Sequence, residues 1–252
     1  MKEVIAIVNR RGGVGKTATA HAIGAGLARK GYKILFIDLD SQCNLSYDLG
    51  ATTAQLTSME VLSGTATAKE AIQHAKGGDI IPASPNLAIA DTALEGTGKE
   101  HRLAEALTPI KRSYDYIIID TPPALGVLTV NALTACNSVI IPAQAEVHSL
   151  QGIGLLYEAI QAVKRYTNPK LKIKGILITR YRGRAILSKD MRENLEATAK
   201  QLKTKVFNTP IRECIAVAEA QASQRDIYNY APRSNATKDY TDLIEEILRE
   251  QK

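Results

Sequence analysis

The stretch Val4-Ile5-Ala6-Ile7-Val8-Asn9-Arg10-Arg11-Gly12-Gly13-Val14-Gly15-Lys16-Thr17 decides how this chain is read. An apolar run enters a glycine-rich turn, and the turn closes on Lys-Thr. Ala18 to Lys30 is rich in Ala, Leu and Ile and stops at Gly31, which predicts a helix. Strand, glycine loop and helix form the setting of a phosphate-binding loop. Glycines let successive N–H groups turn inward around phosphate oxygens, where a side chain would clash. The helix N-terminus adds unpaired N–H groups and partial positive charge. Lys16 is expected to neutralise the β- and γ-phosphates, and the Thr17 hydroxyl to ligate Mg²⁺.

The loop departs from the ordinary G-x-x-x-x-G-K-[ST] spacing, because position 10 is Arg10. Its glycines stand at 12, 13 and 15. That is the deviant form K-G-G-x-G-K-[ST], in which a second basic residue precedes the glycine pair. Here that residue is Arg11.

Working outward, the chain reads as strand and helix in alternation. Lys33–Ile37 is a second apolar run and ends in Asp38-Leu39-Asp40. Leu56 to Ala75 reads as short helices, with Ser58 and Thr67 as N-caps. Asp79–Pro82 is a short strand, and Gly98 to Arg112 has helical spacing. Tyr114–Asp120 is a strong strand broken by Thr121-Pro122-Pro123. Leu125–Ala135 is helical, Ser138–Pro142 a strand, Leu150–Tyr166 a long helix and Lys174–Thr179 a strand. Helices follow at Ser188–Lys203 and from Ala236 onward. Near-continuous Ile/Val/Leu strands between helices predict an α/β fold: a mostly parallel, twisted sheet with helices on both faces. With no repeat and no linker, residues 1–252 read as a single domain.

Composition sets further bounds. Hydrophobic residues are 45% and charged residues 23% of the 252, as in soluble globular proteins. No apolar run approaches the ~20 residues of a membrane span. The first strand begins at once, so no signal peptide is expected. Cys43, Cys136 and Cys214 lack metal-ligand spacing and point to a reducing cytoplasm. The net charge of +6 is compatible with nucleic-acid binding.

In such folds ligands bind beyond the carboxyl ends of the strands. Asp120 lies at such an end and suits a carboxylate that holds Mg²⁺-bound water. Asp38 and Asp40 end the second strand, and alternation puts both on one side. One would sit near the metal while the other orients an attacking water.

Taken together, Arg11-Gly12-Gly13-Val14-Gly15-Lys16-Thr17, Asp38-Leu39-Asp40-Ser41-Gln42-Cys43-Asn44 and Asp120-Thr121-Pro122-Pro123 resemble the deviant Walker ATPases of the ParA/MinD group. Glu146 to Gly152, Gly175 to Tyr181, Glu219-Ala220 and Tyr230–Ser234 are similar to its ParA/Soj branch. The resemblance spans nearly the whole chain, in the short form without an N-terminal DNA-binding extension. It implies a partition ATPase, slow without its partners. ATP and Mg²⁺ would drive two subunits together with both nucleotides at the interface. The residues implied for the nucleotide are Arg11, Gly12, Gly13, Val14, Gly15, Lys16, Thr17 and Ala18, and for the metal Thr17, Asp38 and Asp120. Lys16, Asp40 and Arg11 would carry catalysis: Arg11 would reach the partner's phosphates and Asp40 would position the lytic water. Gly12 would be small because the subunits meet there. The dimer would bind double-stranded DNA without sequence preference, on the nucleoid within the cytoplasm. A ParB-like protein would stimulate hydrolysis and release it, moving a plasmid or chromosome. Arg11 for the signature lysine, Ala18 for a threonine and Ser41 for a proline depart from the pattern. Arg keeps the charge but presents a planar fork instead of an ammonium.

Arg180-Tyr181-Arg182-Gly183-Arg184 supplies arginines suited to phosphate-backbone contact. The family's loop arginine falls at Arg184; a second falls at Ala216, with Arg212 nearby as a substitute. Thr179, Arg180 and Pro210–Arg212 are adenine-pocket candidates. One alternative is a MinD-like membrane-cycling ATPase. Its C-terminal helix would be basic on one face, whereas Tyr240–Lys252 has four acidic residues and no Trp or Phe, and reads as a packing helix. A metallo-carrier of the same fold would need cysteines poised at the subunit interface, and Cys43 and Cys136 stand in no C-x-x-C or similar motif. A nucleotide switch with impaired hydrolysis would follow if Arg11 fails to replace lysine.

Overall fold

The register of three strands builds one end of the molecule. In the computed structural model, which describes residues 1–182 and 186–249, strand β1 (Glu3–Ile7) pairs in parallel with β5 (Tyr116–Asp120), so that Ile7 lies opposite Asp120. Strand β2 (Ile34–Asp38) pairs with the other edge of β5 and sets Asp38 opposite Asp120. The carboxyl ends of all three strands therefore meet.

Strands β3 (Gln73–Ala75), β4 (Gly78–Ile81), β6 (Ser138–Gln144) and β7 (Lys172–Thr179) complete a seven-stranded sheet in the order β3-β4-β2-β5-β1-β6-β7. All neighbours are parallel except β3 and β4. The expected α/β architecture is what the structure contains.

Helices cover both faces, and strand alternation explains why. Val4, Ala6, Leu35, Ile37, Ile117, Ile119, Val139 and Ile141 point into one core. Ile5, Ile7, Ile34, Phe36, Tyr116, Ile118 and Ile140 point into the other. The second core is closed by α1 (Lys16–Arg29) and by a C-terminal helix over Asn235–Arg249, whose Tyr240, Leu243, Ile244 and Ile247 are buried. Gly24 and Gly26 let α1 lie close. A Cβ on Gly24 would stand 2.1 Å from the Phe36 ring, and one on Gly26 would stand 2.2 Å from Ile244. The acidic tail expected to pack does so, with its apolar side against α1.

Two expectations fail. Leu56–Ala75 is not a run of helices: one helix spans Ser58–Ser63, a turn follows, and Gln73–Ala75 is the edge strand β3. Thr57, not Ser58, is the N-cap, in a capping box with Glu60. Thr67 and Glu70 bond reciprocally, but only around a turn. A three-residue strand has no periodicity to read, and its pairing with β4 is a tertiary event. Gly98–Arg112 breaks into a 3-10 turn at Lys99–His101 and a helix at Arg102–Leu107. A further helix spans Ile215–Ala222, where apolar residues on all sides leave no stripe for a periodicity to reveal.

Candidate functional site

The glycine loop is held from outside by its carbonyls. Asn9 accepts from the Arg11 amide at 3.0 Å and donates to the Pro142 carbonyl at 2.6 Å. Gln144 Nε2 donates to the Gly13 carbonyl at 3.0 Å, and the Thr179 hydroxyl to that of Val14 at 2.9 Å. Ends of β6 and β7 thus pull the carbonyls away from the loop's interior. Gly13 and Gly15 adopt left-handed backbone (φ 72° and 82°), which any other residue would strain. Gly15, Lys16, Thr17 and Ala18 keep amides with no acceptor among the described residues, at the N-terminus of a 14-residue helix. This is a built anion site.

Asn9 and Gln144 escaped the sequence reading, because neither belongs to a motif. Thr179, an adenine-pocket candidate, is instead buried against the loop. Gly12 is exposed, and a Cβ there would meet nothing within 4 Å, so packing within the chain does not require a glycine.

The buried Lys16 ammonium donates to the Arg11 carbonyl at 3.1 Å. Burial pulls its pKa down, against the pull of Asp120 and Asp40. The Thr17 hydroxyl donates to Asp120 Oδ2 at 2.6 Å, joining the head of α1 to the end of β5. Asp120 is fully buried; burial, with the charge of Asp38, pushes its carboxyl well above the ordinary range. Asp38 is pushed up to about 6, first by burial. Both its oxygens are taken: Oδ1 by the Asp40 amide at 3.0 Å, Oδ2 by the Ser46 amide and hydroxyl at 2.9 and 2.7 Å. Asp40 Oδ1 accepts from the Gln42 amide at 3.1 Å, and Oδ2 has no partner among the described residues.

No three His, Cys, Asp or Glu side chains converge on a metal position among the described residues. Thr17 and Asp120 supply one hydroxyl and one carboxylate oxygen, a set that fits Mg²⁺ only if phosphate and water complete its shell.

Arg11 does not reach into the loop. Its Nη2 pairs with Glu146 Oε2 at 2.6 Å, while Nη1 is buried without a partner. Arg212 forms a two-pronged pair with Asp239. Arg180 and Arg182 both pair with Glu213. Arg184 lies outside the described residues.

The match to known proteins agrees with this geometry. A family described as AAA domain matches residues 2–173. The sporulation initiation inhibitor protein Soj of Bacillus subtilis is 38% identical over 98% of each chain. The chromosome partitioning protein ParA of Caulobacter vibrioides is 34% identical over 99% of this chain and 95% of its own. The chain belongs to the ParA/Soj family of P-loop ATPases. A solved structure of cobyrinic acid a,c-diamide synthase from Mycobacterium smegmatis, with bound ATP analog and magnesium, superposes with a TM-score of 0.86. It is 33% identical and covers 99% of this chain and 95% of that one. In this ParA/Soj chain no helix among the described residues is long and apolar enough to cross a membrane.

Proposed function

We propose that the chain is an ATP- and Mg²⁺-dependent partition ATPase. Its nucleotide-bound form is a face-to-face dimer that binds DNA without sequence preference. A ParB-like partner triggers hydrolysis and release, and the cycle positions a plasmid or chromosome. The contact between Thr17 and Asp120 carries this reading. It sets a hydroxyl and a carboxylate side by side at the mouth of a loop whose amides and Lys16 suit a triphosphate.

Each residue then has a task. Gly13 and Gly15 shape the cradle, and the amides through Ala18 hold phosphate oxygens. Lys16 swings from the Arg11 carbonyl to the phosphates. Thr17 and Asp120 would hold a bound Mg²⁺, which would supply charge neutralisation at the phosphate oxygens. Asp40 uses its unpartnered oxygen to align the attacking water. Asp38 acts through the Asp40 amide, since both its oxygens are engaged. Arg11 leaves Glu146 to meet the partner's phosphates, and Gly12 gives the partner room. DNA contact through the arginine loop rests on Arg182 and Arg184; Arg212 is committed to Asp239 and serves the fold.

Sedimentation with ADP, ATP and a slowly hydrolysed analogue, each with and without duplex DNA, tests the proposal. A dimer only with the triphosphates, and DNA co-sedimenting only with that dimer, are expected. A monomer in every state would overturn it.

A further inference from the structure

Among the described residues, the arginines offered for DNA all have carboxylate partners within the chain: Arg180 and Arg182 share Glu213, and Arg212 pairs with Asp239. Positive charge without such compensation lies elsewhere. A groove of about 1520 Å³ opens where β1, β6 and β7 begin, at the end of the sheet opposite the phosphate loop. Eight cationic side chains line it against two carboxylates, Glu3 and Glu245. Lys174 is tied to Glu3 and Lys205 to Glu246, each at 3.0 Å. Lys164, Lys170, Lys172 and Lys203 have no carboxylate within ion-pair reach among the described residues.

We infer that this groove is a second contact for the phosphate backbone of duplex DNA, an inference that rests on the DNA-binding reading above. Lysines act as mobile point charges and confer affinity without reading sequence. Lys172 opens β7 and Lys170 lies in the turn just before it, so both stand at the same end of the strand. The eight residues of β7 then place the groove about 26 Å from Arg180–Arg182 at the strand's other end. That is less than one turn of B-DNA, about 34 Å, so a duplex lying along this edge reaches both. The groove also lies away from the loop face on which the two subunits would meet, and stays open in the dimer.

The test is anisotropy titration of a labelled random-sequence duplex with the ATP-analogue form, repeated between about 50 and 200 mM salt. The triple variant Lys170→Gln/Lys172→Gln/Lys203→Gln is expected to bind about tenfold or more weakly, and its log-affinity against log-salt slope to fall by about two to three. Nucleotide binding and thermal melting should match the parent, which separates a lost contact from a lost fold. Parental affinity and slope in the variant would overturn the inference and leave the DNA-binding reading standing. Failure of the parent itself to bind duplex in any nucleotide state would overturn both. Capture of polyglutamate but not duplex by the groove would assign it to an acidic protein partner and overturn the inference.

Discussion

Arg11 Nη2 sits 2.6 Å from Glu146 Oε2, so the guanidinium that precedes the glycine pair is held by its own subunit. The pair is half exposed, and such pairs contribute at most about 1 kcal/mol to stability. Under the proposed dimer its consequence is for assembly, because an arginine held by Glu146 is not available to a second copy. Glu146→Gln is expected to leave the melting temperature nearly unchanged and to raise the dimer fraction with ATP severalfold. Analytical ultracentrifugation reads this directly. An unchanged or smaller dimer fraction would remove Glu146 from any role in restraining Arg11.

Gly12 and Gly26 predict opposite outcomes for the same substitution. Gly12→Ala meets open space in the subunit and should change stability by less than about 0.5 kcal/mol. It should nevertheless abolish the ATP-dependent dimer. Gly26→Ala drives a methyl to 2.2 Å from Ile244 and 2.4 Å from the Tyr228 hydroxyl, itself bonded to the Ala22 carbonyl at 3.0 Å. Overpacking there should cost about 1–3 kcal/mol in urea unfolding. Equal stability losses at the two positions would contradict the packing of α1 described above.

Asp120 is fully buried beside Asp38, and burial, which disfavours its charged form, pushes its carboxyl up. A group of this kind contributes stability below its unfolded pKa and loses it as pH rises through its folded value. Asp120→Asn removes that cost, so the nucleotide-free protein should melt higher at neutral pH, by the equivalent of about 1–2 kcal/mol. The same variant should lose tenfold or more in Mg²⁺-dependent nucleotide affinity, measured by calorimetry. A lower melting temperature together with intact Mg²⁺ dependence would refute both halves.

His21 gives the acid limb of stability. Its imidazole is buried in α1, edge-on to Phe36 at 6.2 Å, and burial lowers its pKa to about 4 against the opposing charge of Asp226. The unfolded chain takes a proton near pH 6.5 that the folded chain refuses until about pH 4. Stability is therefore full above 6.5 and falls through that window, by about 2–3 kcal/mol. Asp48, pushed up to about 6, has the opposite sign: its contribution is present below 3.8 and is lost as pH rises through 6. Urea unfolding of His21→Gln from pH 7 to 4.5 should show a flatter acid limb than the parent. Superimposable pH profiles would count against a buried neutral His21.

What the sequence determined by itself was whatever local covalent order encodes. Glycines at 12, 13 and 15 before Lys16-Thr17 define a phosphate loop because backbone freedom and helix polarity are local properties. Runs such as Tyr116–Asp120 announce buried parallel strands because both faces must be apolar. What only the tertiary structure decided was pairing between residues far apart in the chain. Gln144 and Thr179 hold the loop from strand ends more than a hundred residues away, Asn9 ties it to Pro142, Asp38 engages both oxygens with Ser46 and Asp40, and Glu213 and Asp239 claim arginines that looked free. A charge read from sequence is an unpaired charge, and only folding shows which carboxylate reaches it. For that reason the phosphate loop was legible in the residues, while the lysines that line the groove where β1, β6 and β7 begin were brought together only by the fold.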